Sequence, residues 1–596
     1  IYIYKIKMEF FQLTDQTISD ITDELSFGVV KGASNNSFQQ FEAQTKSSSS
    51  VNININVPSE SIILNRKVML QTTLNFEIEI TGVPGTTTSP QSNVFNYGSN
   101  AALQAFPVNS LFNNITCSIN NTNVNCNLKD ILPQLLLLNN NKLLAQYNST
   151  CPSQPDYYYK NYKDGVGSSN NVLAGYKNSL SNDLSPRGAF VLDGFKRFYM
   201  KVGTSTWVEG DTNTSEDPKD KFLIQMTVST TEPFIGLSPF IFGDPKHNSQ
   251  GLVGINSLNF MMNIGEPNRM FSYAGPGDDS KVVDSTQTIR LGHTNTSSSG
   301  ASTSKEAFSS CKVLCNFLTA QDTDVIDAKN VVPYLDFPRF ITNGTEDVKA
   351  LVTPNFSTDY KKLDSYSIQT NNIQLNQLPD YFIVVVRKPM INQTITDSST
   401  FLAIKKITVS LSNSQGLLSN AEQVDLWKMS VRNGSSQSFE EFSGLASSGD
   451  GPIPERTLTT GSLLIINPAL DLSLPSFLSN GSIGQFNFTM NITYENIFTG
   501  KTFRPEVCVI CCNSGTMTTI SGSSMIQTGL LTKDIVINSS SKDSMPFNTY
   551  SRLIGGNMTD RPLTNIKNLF PKLKKLISGS GVRSGGSYSK NSNLDE

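Results

Sequence analysis

The sequence predicts an all-β chain made of two successive jelly-roll β-sandwiches with long loops and a few short helices. Apolar and polar residues alternate with a period of two in many segments, on both sides of about residue 270. Such alternation is typical of strands with one buried face. Long polar connections, rather than regular helices, separate these strands. This arrangement excludes a doubly wound sheet and favours sandwiches.

The predicted strands recur along the whole chain. In the first half they lie at 51–57, 74–80, 222–228 and 258–264. In the second half they lie at 383–386, 407–411 and 486–492. We interpret all of them as half-buried strands.

Chain length and connection length predict the domain organisation. A chain of 596 residues exceeds what one core usually holds, so at least two units are expected. Connections at 84–102, 147–185 and 278–309 are too long for hairpins but suit a jelly roll, whose strands are joined across two sheets. The predicted division is an N-terminal arm at 1–49 with translation starting at Met8, a first jelly roll at 50–270, a second at 271–547, and a C-terminal tail at 548–596.

One short helix is predicted after residue 126. Asn127 can cap it, and Pro133 is tolerated in its opening turns. Its helically spaced apolar residues are Leu128, Ile131, Leu132, Leu135 and Leu136.

A second short helix is predicted near residue 420. Ser419 and Glu422 have the spacing of a capping box, which predicts a start at Ser419. Asn433 and Gly434 tolerate a left-handed stop and predict its end. Its expected apolar stripe, interrupted by one lysine, consists of Ala421, Val424, Trp427, Lys428 and Val431.

The composition excludes several classes of protein. Lys and Arg total 47 and Asp and Glu total 50, which argues against a protein that coats nucleic acid over its whole surface. No apolar run is long enough to cross a bilayer, and we expect no export signal. The eight cysteines are therefore expected to be mostly reduced and to act as small buried hydrophobic residues.

The histidines and the glycine-rich motifs do not predict catalysis. The chain has two histidines, and His247 and His293 do not form a metal-binding pair. We interpret His247 as a solvated loop residue. The tripeptide 500–502 imitates the end of a phosphate-binding loop, but Glu495 stands where the loop needs glycine. No catalytic residue and no cofactor are expected.

Two cysteine spacings are compatible with zinc. They are Cys311-x-x-x-Cys315 and Cys508-x-x-Cys511, with Cys512 adjacent. However, Cys508 lies in an alternating strand, and a zinc knuckle needs a tight turn instead. The strand would direct the cysteine at 508 and the isoleucine at 510 to one face and the two valines between and before them to the other. We therefore expect no metal site.

Several segments carry a resemblance to a known family. QGLLSNAEQVDLWKMSVRNG at 415–434, NPALDLSLP at 467–475 and GQFNF at 484–488 resemble the second half of the major capsid proteins of polinton-like viruses, adintoviruses and virophages, in the adenovirus hexon lineage. VPSESIILNRKV at 57–68 resembles the opening strands of the same family, and PFIGLSPF at 233–240 resembles the closing segment of its first roll. The segments follow the family's order. The resemblance implies two jelly rolls in each chain and three chains in a pseudo-hexagonal tile.

The C-terminal tail has a different character. Residues 562–577 place apolar residues on one helical face and Lys567, Lys572, Lys574 and Lys575 on the other, before a run rich in Gly and Ser. Such a basic element on a tether could contact encapsidated DNA, an inner membrane or minor capsid proteins, or it could be an ordinary terminal helix docked on its own domain. The residues around Gly556 and Ser580 resemble the small-residue cleavage sites of adenovirus-type maturation proteases.

The expected function is structural rather than enzymatic. The resemblance implies a major capsid protein whose pseudo-hexameric homotrimers tile an icosahedral shell around double-stranded DNA. Neighbouring trimers, penton proteins and minor capsid proteins would be its partners, and synthesis and assembly would occur inside the host cell. The alternative is a carbohydrate-binding or adhesive β-sandwich protein, which the Asn, Ser and Thr content favours and the missing export signal disfavours.

Overall fold

The fold is known from a computed structural model. It describes residues 11–12, 28–29, 33–59, 61–81, 97, 101–138, 150–151, 192–201, 203–210, 219–240, 251–273, 286–297, 301–320, 329–349, 364–393, 400–412, 414–448, 455–474, 478–497, 502–520 and 522–529. Within these ranges, no helix combines the length and the apolar character that a bilayer span requires.

Strands dominate the described residues. In chain order, the strands up to residue 320 are β1 (Phe11–Gln12), β2 (Gly28–Val29), β3 (Ala33–Glu42), β4 (Thr45–Lys46), β5 (Ser50–Asn56), β6 (Ile63–Asn65), β7 (Met69–Thr81), β8 (Ala101–Leu103), β9 (Phe112–Ile119), β10 (Thr122–Cys126), β11 (Gly194–Lys201), β12 (Val208–Glu209), β13 (Lys219–Pro233), β14 (Gly251–Leu252), β15 (Ser257–Ile264), β16 (Phe271–Tyr273), β17 (Thr286–Leu291) and β18 (Phe308–Ala320).

The strands after residue 320 are β19 (Lys329–Asp336), β20 (Arg339–Asn343), β21 (Ser365–Gln369), β22 (Ile373–Gln377), β23 (Tyr381–Arg387), β24 (Ala403–Leu411), β25 (Ser414–Leu417), β26 (Leu445–Ser448), β27 (Glu455–Leu458), β28 (Leu464–Ile466), β29 (Ile483–Glu495), β30 (Glu506–Ile520) and β31 (Ser523–Thr528). The described helices are α1 (Pro107–Leu111), α2 (Leu128–Leu138), α3 (Gln423–Arg432), α4 (Phe439–Ser443) and α5 (Pro468–Asp471). Short 3₁₀ turns occur at Pro267–Met270 and Met390–Asn392.

Four antiparallel sheets form the body of the protein. Sheet A has the order β10-β9-β15-β5-β4, and sheet B has the order β12-β11-β13-β7-β18-β6-β14 with β17 beside β7 and β3 beside β18. Sheet C has the order β19-β30-β23-β28 with β20 and β31 beside β30, and sheet D has the order β21-β29-β24-β25 with β22 beside β29. The remaining pairs are β1–β2, β8–β16 and β26–β27.

Two hydrophobic cores hold these sheets together. The first core contains the apolar faces of sheets A and B, including Ile53 of β5, Phe76 of β7 and Phe260 of β15. The second core contains apolar residues of sheets C and D, including Phe382 of β23 and Phe488 of β29. The rings of these two residues stack with their centroids 4.4 Å apart. The all-β fold with few short helices is therefore confirmed.

The sheets of the first unit extend past residue 270, where the strand pattern had placed the domain boundary. β17 pairs with β7 through the register Ile289 to Ile78, and β18 pairs with β7 through Val313 to Leu70. β17 also lies inside the connection expected at 278–309. The pairing thus carries the first unit to Ala320, and the second unit's strands begin at Lys329. A short strand such as β17 is hard to recognise locally, because its place is fixed by a partner distant in sequence.

The N-terminal arm also takes part in the sheets where it is described. β3 pairs with β18, joining Phe41 to Val313, and β4 pairs with β5, joining Thr45 to Asn52. Met8 and the other residues before Phe11 lie outside the described residues.

All seven predicted strands are present, as is the predicted helix after residue 126, which runs over Leu128–Leu138 and tolerates Pro133. The prediction of half-buried strands is wrong for most of 74–80 and 222–228, where the polar residues Asn75, Glu77, Gln225 and Thr227 are buried as well, and it is wrong for 383–386. All seven residues of β23 are buried, because both faces of this strand are covered.

Candidate functional site: the junction between the two jelly rolls

Sheet C joins the two halves of the chain because each of its faces lies in a different core. In β23, Ile383 and Val385 belong to the first core, whereas Val384 and Val386 belong to the second. Successive side chains of a strand point to opposite faces, so an uninterrupted apolar run can be buried on both sides. Sheet C is therefore a shared wall between the cores.

The central strand β30 follows the same rule. Cys508 and Ile510 lie in the first core, and Val507 and Val509 lie in the second. The sequence prediction that the cysteine and isoleucine share one face and the two valines share the other is confirmed. Cys511 belongs to the second core and continues the alternation.

A buried cluster of charged residues crosses the junction. Asp130, on the first-unit helix α2, is wholly buried and accepts a hydrogen bond from Arg387 Nη2 at 2.5 Å. Arg387 ends β23, is only 2% exposed, and also donates through Nε to Glu506 Oε1 at 2.7 Å. Arg339 of β20 forms a further ion pair with Asp130. One carboxylate of the first unit is thus bound by two arginines of the second.

Positive side chains outnumber carboxylates in this cluster. Four cationic side chains, namely Lys129, Arg269, Arg339 and Arg387, surround the carboxylates of Asp130 and Glu506. Burial, followed by the nearby charge of Arg387, lowers the pKa of Arg269 to about 9. Arg269 Nη2 donates to the Lys129 backbone carbonyl at 2.8 Å. Removing one carboxylate would leave buried positive charge without compensation, which is costly in a low-dielectric interior.

Hydroxyl groups make a second set of contacts across the junction. Ser524 of β31 donates to the carbonyl of Ile119 at 2.6 Å, and Thr122 of β10 donates to the carbonyl of Ser524 at 2.6 Å. Thr519 of β30 donates to the carbonyl of Val253 at 2.6 Å. These bonds satisfy backbone carbonyls where the two units meet, so the junction is polar as well as apolar.

Sequence reasoning missed this cluster. The available signal was Asp130 in the mostly apolar α2, together with charged residues at the ends of two apolar strand runs, Arg387 and Glu506. A charge inside an apolar pattern is buried only when it is paired, so each of these residues implied a partner. Their pairing could not be read locally, because Asp130 and Arg387 are 257 positions apart.

Helix α3 lies beside the second core and differs from its prediction at the start. Its N-cap is Glu422, not Ser419, and Glu422 N donates to Asp425 Oδ2 at 3.2 Å in a capping box. The reason is that Leu418 adopts a left-handed conformation and Ala421 N bonds to the Leu418 carbonyl, so a turn occupies the predicted first residues. The predicted end at Asn433 and Gly434 is confirmed.

The buried face of α3 is also not the predicted one. Leu426 and Ser430 are fully buried, and Ser430 Oγ accepts a hydrogen bond from Ile465 N at 3.1 Å. Val424 and Val431 are 42% and 41% exposed. Of the predicted stripe, Val424, Lys428 and Val431 lie on the solvent side of the helix, whereas Ala421 and Trp427 pack against the second core. Trp427 is intermediate and donates its indole N–H to the Gln437 carbonyl at 3.0 Å.

The cysteines and histidines do not assemble into a reactive site. All eight cysteines are buried, as predicted. Burial raises the pKa of the Cys311 and Cys315 thiols to about 12, which makes both poor nucleophiles. Across the described ranges, no group of three or more His, Cys, Asp and Glu residues could hold a metal.

The two histidines have different outcomes. His293 Nε2 lies 2.9 Å from the Met226 carbonyl, and burial lowers the pKa of this imidazole. Such an imidazole bonds the backbone rather than a substrate. His247, the candidate cleavage positions Gly556 and Ser580, and the tail lysines Lys567, Lys572, Lys574 and Lys575 lie outside the described residues.

Two family models match this chain in succession. Residues 8–318, more than half of the chain, match the Sputnik virophage major capsid protein 1st domain. Residues 337–515 match the major capsid protein V20 C-terminal domain. The chain belongs to the Sputnik virophage major capsid protein family. Residues 319–336 separate the two matched regions, and they include the connection between β18 and β19.

Individual relatives agree with this membership. The chain is 24% identical over 564 residues to capsid protein V20 of Sputnik virophage, covering 93% of this chain and 85% of that protein. A chain of the Sputnik virophage particle, solved by electron cryomicroscopy, has 22% identity and a TM-score of 0.66 over 89% of this chain and 95% of its own. The mavirus major capsid protein has 14% identity and a TM-score of 0.57 over 86% and 94%. This virophage-type major capsid protein is therefore a component of a virion capsid with the fold of those structures.

Proposed function

We propose that this major capsid protein forms a homotrimer with six jelly-roll lobes, and that these trimers tile an icosahedral shell around double-stranded DNA. The observation that carries the proposal is the shared wall formed by sheet C. A wall buried on both sides makes the two rolls of one chain a single block, so three chains would present six lobes of fixed arrangement. Weak contacts between such tiles become strong through repetition over a closed surface.

The solvent side of α3 supports one contact between the chains. Val424, Lys428 and Val431 share this side, and Leu470 of the neighbouring α5 is 50% exposed. Arg432 of α3 forms an ion pair with Asp471 of α5, and Asn433 Nδ2 donates to Asp471 Oδ2 at 2.6 Å, so the two helices are held together. Grouped apolar residues on a surface mark a protein contact more often than single ones do. We assign this surface, Val424, Val431 and Leu470, to the contact with another copy.

Light scattering at micromolar concentration tests the trimer. The expected mass is three times the chain mass of 65.3 kDa. The trimer should stay associated at this concentration, because an obligate interface buries more than about 2,000 Å². The double variant Val424→Asp and Val431→Asp should yield a folded monomer, since two carboxylates would have to be buried in the contact. A monomeric wild-type protein would contradict the trimer itself.

A matched control separates this contact from general surface effects. Met261 of β15 is 47% exposed and lies opposite Asn52 and Thr116, so it is a single apolar residue among polar neighbours. Met261→Asp should leave the trimer intact. If the double α3 variant also remains trimeric, the contact lies elsewhere on the surface while the trimer proposal stands.

The tail proposal concerns residues 548–596, for which only the sequence is informative. Its lysines at 567, 572, 574 and 575 precede a Gly/Ser-rich run, which can act as a flexible tether. We assign it to the particle interior, where it would contact DNA, an inner membrane or minor capsid proteins. Deleting residues 562–596 should preserve the trimer and impair assembly or genome retention. Normal assembly of filled particles by the deleted chain would count against this role.

A further inference from the structure

The outer face of sheet B carries an open groove of about 890 Å³. Its floor is formed by β11 and β13, where Lys196 pairs in register with Gln225 and Gly194 pairs with Thr227. One wall is the segment before and within β12, including Thr206 and Trp207. None of the residues that line the groove belongs to the sheet C junction or to either hydrophobic core. Its size falls within the range of small-ligand sites.

The second wall of the groove, the hairpin wall, consists of two neighbouring segments, residues 293–297 and residues 302–305. Asn295 Oδ1 accepts hydrogen bonds from Ser297 N, Thr303 N and Thr303 Oγ1, each at 3.1 Å. The backbones of His293 and Lys305 also pair. These bonds fix the wall before any ligand arrives, which lowers the entropy cost of binding.

The floor is anchored as firmly as the wall. Gln225 Nε2 donates to the Thr294 carbonyl at 2.9 Å, and Thr227 Oγ1 donates to Asn75 Oδ1 at 2.8 Å. The Thr294 N–H and hydroxyl both donate to the buried carboxylate of Glu77. The hairpin wall is thereby attached directly to the sheet, and the groove is a preformed part of the fold.

The lining combines one partly exposed aromatic ring with many hydroxyl groups. Trp207 is half buried, whereas Phe195 alternates with Lys196 along β11 and lies under the guanidinium of Arg197, 5.3 Å from the ring centroid, on the opposite face of the strand. Seven of the lining residues are Ser or Thr. Hydroxyls can both donate and accept hydrogen bonds, and aromatic faces provide flat apolar surface. A sugar ring has the matching properties, because it carries hydroxyls at its edge and C–H groups on its faces.

The charges of the groove favour a neutral ligand. Lys196 Nζ and Glu209 Oε1 form an ion pair at 3.2 Å, and Lys305 is the other cationic side chain of the lining. This balance gives no concentrated field for a polyanion. A protein partner also fits poorly, because the buried centres of protein interfaces are depleted in Ser, Lys and Glu.

We propose that this groove binds a short neutral oligosaccharide, with Trp207 stacking on a sugar ring and the hydroxyls of Thr206, Ser302 and Thr303 bonding to the sugar. Jelly rolls support both capsid and lectin functions, so the scaffold is compatible with this use. The activity is additional to shell formation and does not depend on it. It would give the capsid surface an affinity for glycans.

Tryptophan fluorescence can test the proposal on the purified full-length assembly, because the chain has only two tryptophans. Trp427 lies on α3, so Trp427→Phe leaves Trp207 as the single reporter. The probes are maltotetraose, cellotetraose and N,N′,N″,N‴-tetraacetylchitotetraose, with a heparin tetrasaccharide as the charged comparison. At least one neutral probe should change the Trp207 emission in a saturable manner, and acrylamide should quench this emission in the absence of sugar.

Groove variants are compared by saturation-transfer NMR, which does not need the tryptophan. Trp207→Ala and Thr206→Val should each weaken binding of the active probe by about tenfold or more, equivalent to about 1.4 kcal/mol. Met261→Ala, on sheet A, should bind like wild type. Each variant's melting temperature is measured, and Thr206→Val keeps the test decisive if Trp207→Ala is unstable, since residue 206 is exposed.

Four results would each overturn the proposal. They are the absence of saturable binding by all neutral probes, binding of the heparin fragment alone, unchanged affinity in both groove variants, and a Trp207 that acrylamide cannot reach in the assembly. The last result would place the groove against a neighbouring subunit. None of them bears on the oligomeric mass, so the trimer proposal is judged separately.

Discussion

Strands β5 and β23 are both seven residues long, yet they occupy opposite kinds of environment. In β5, Val51, Ile53 and Ile55 are buried, while the asparagines between them face outward. In β23 every residue is buried, with alternate side chains in the first and second cores. A strand of the outer wall needs one apolar face, and a strand of the shared wall needs two.

This difference explains how one chain becomes a two-lobed block. Sheets A and D bury one face and leave much of the other to solvent, whereas the outer face of sheet B is partly covered by residues 293–297 and 302–306, beside which the groove lies. Sheet C has little face left for solvent near its centre, and its charged ends are neutralised by α2 of the other unit. We therefore expect perturbations of sheet C and its ion cluster to destabilise both rolls together, and perturbations of outer faces to remain local.

The largest effect is expected for Asp130→Ala. It leaves Arg387 and Arg339 without their shared carboxylate, and breaking a buried pair in this way costs about 3–5 kcal/mol. Urea unfolding of wild type and variant measures the change in free energy of unfolding.

The matched control for Asp130 is the exposed pair of Lys196 and Glu209, whose side chains are 60% and 61% exposed. Glu209→Ala should cost less than about 1 kcal/mol. Comparable losses in the two variants would show that the junction cluster contributes no more than a surface ion pair.

Alanine substitutions at adjacent positions should distinguish the two strand types. In β23, Ile383→Ala and Val384→Ala should each cost about 2–4 kcal/mol, because each removes buried apolar volume from a different core. In β5, Ile53→Ala should cost a similar amount and Asn54→Ala less than about 0.5 kcal/mol. Thermal unfolding of the four variants gives the pattern. A tolerant Val384 or Ile383 would mean that one face of sheet C is not packed.

Local sequence patterns were sufficient to predict the strands, but not to predict what packs against each strand. The alternation in β5, β7, β13 and β15 gave their positions, because the burial of one face imposes a period of two. The apolar run of β23 was also visible, yet it was interpreted as another half-buried strand. A continuous run indicates burial on both faces, but only the tertiary arrangement shows what covers the second face.

The candidate sites lay beyond sequence reasoning for the same reason. Arg387 and Glu506 are 119 positions apart and meet because β23 and β30 are neighbours in sheet C. The groove joins β11 to the hairpin wall near His293 through bonds such as that from Gln225 to Thr294. Composition had suggested a sugar-binding surface only as an alternative function, and it gave no location for one.

The third prediction concerns Asp380, which immediately precedes β23. Burial raises the pKa of this carboxyl to about 6, although hydrogen bonds from Ser514 oppose the shift. Because the folded-state pKa exceeds the unfolded one, the stabilising contribution is complete below about pH 4 and is lost as the pH rises through 6. Asp380→Asn should remove about 2 kcal/mol of the loss in stability between pH 4.5 and pH 8.

Urea unfolding at both pH values measures this loss. Glu441 provides the comparison, because burial raises the pKa of its carboxyl to about 7 and its contribution has the same sign. Glu441→Gln should leave the Asp380 component in place. If Asp380→Asn does not flatten the pH dependence, Asp380 is not the group that titrates at the end of the shared wall.

The smallest effect is expected on α3, where the inner and outer sides can be compared within one helix. The ring centroids of Trp427 and Phe439 are 5.6 Å apart, and the indole N–H of Trp427 donates to the Gln437 carbonyl. Trp427→Ala should therefore lower the free energy of unfolding by about 2 kcal/mol, less than the loss of a fully buried tryptophan would. Val424→Ala removes an outward methyl pair and should change the free energy of unfolding of a dilute monomeric variant by less than about 0.5 kcal/mol. The same substitution should weaken the trimer if the outer side of α3 contacts another copy. The assignment of the two sides would be reversed if Val424→Ala lowered the free energy of unfolding but left trimer affinity unchanged. Val424 would then be a buried residue, as the sequence pattern alone had predicted.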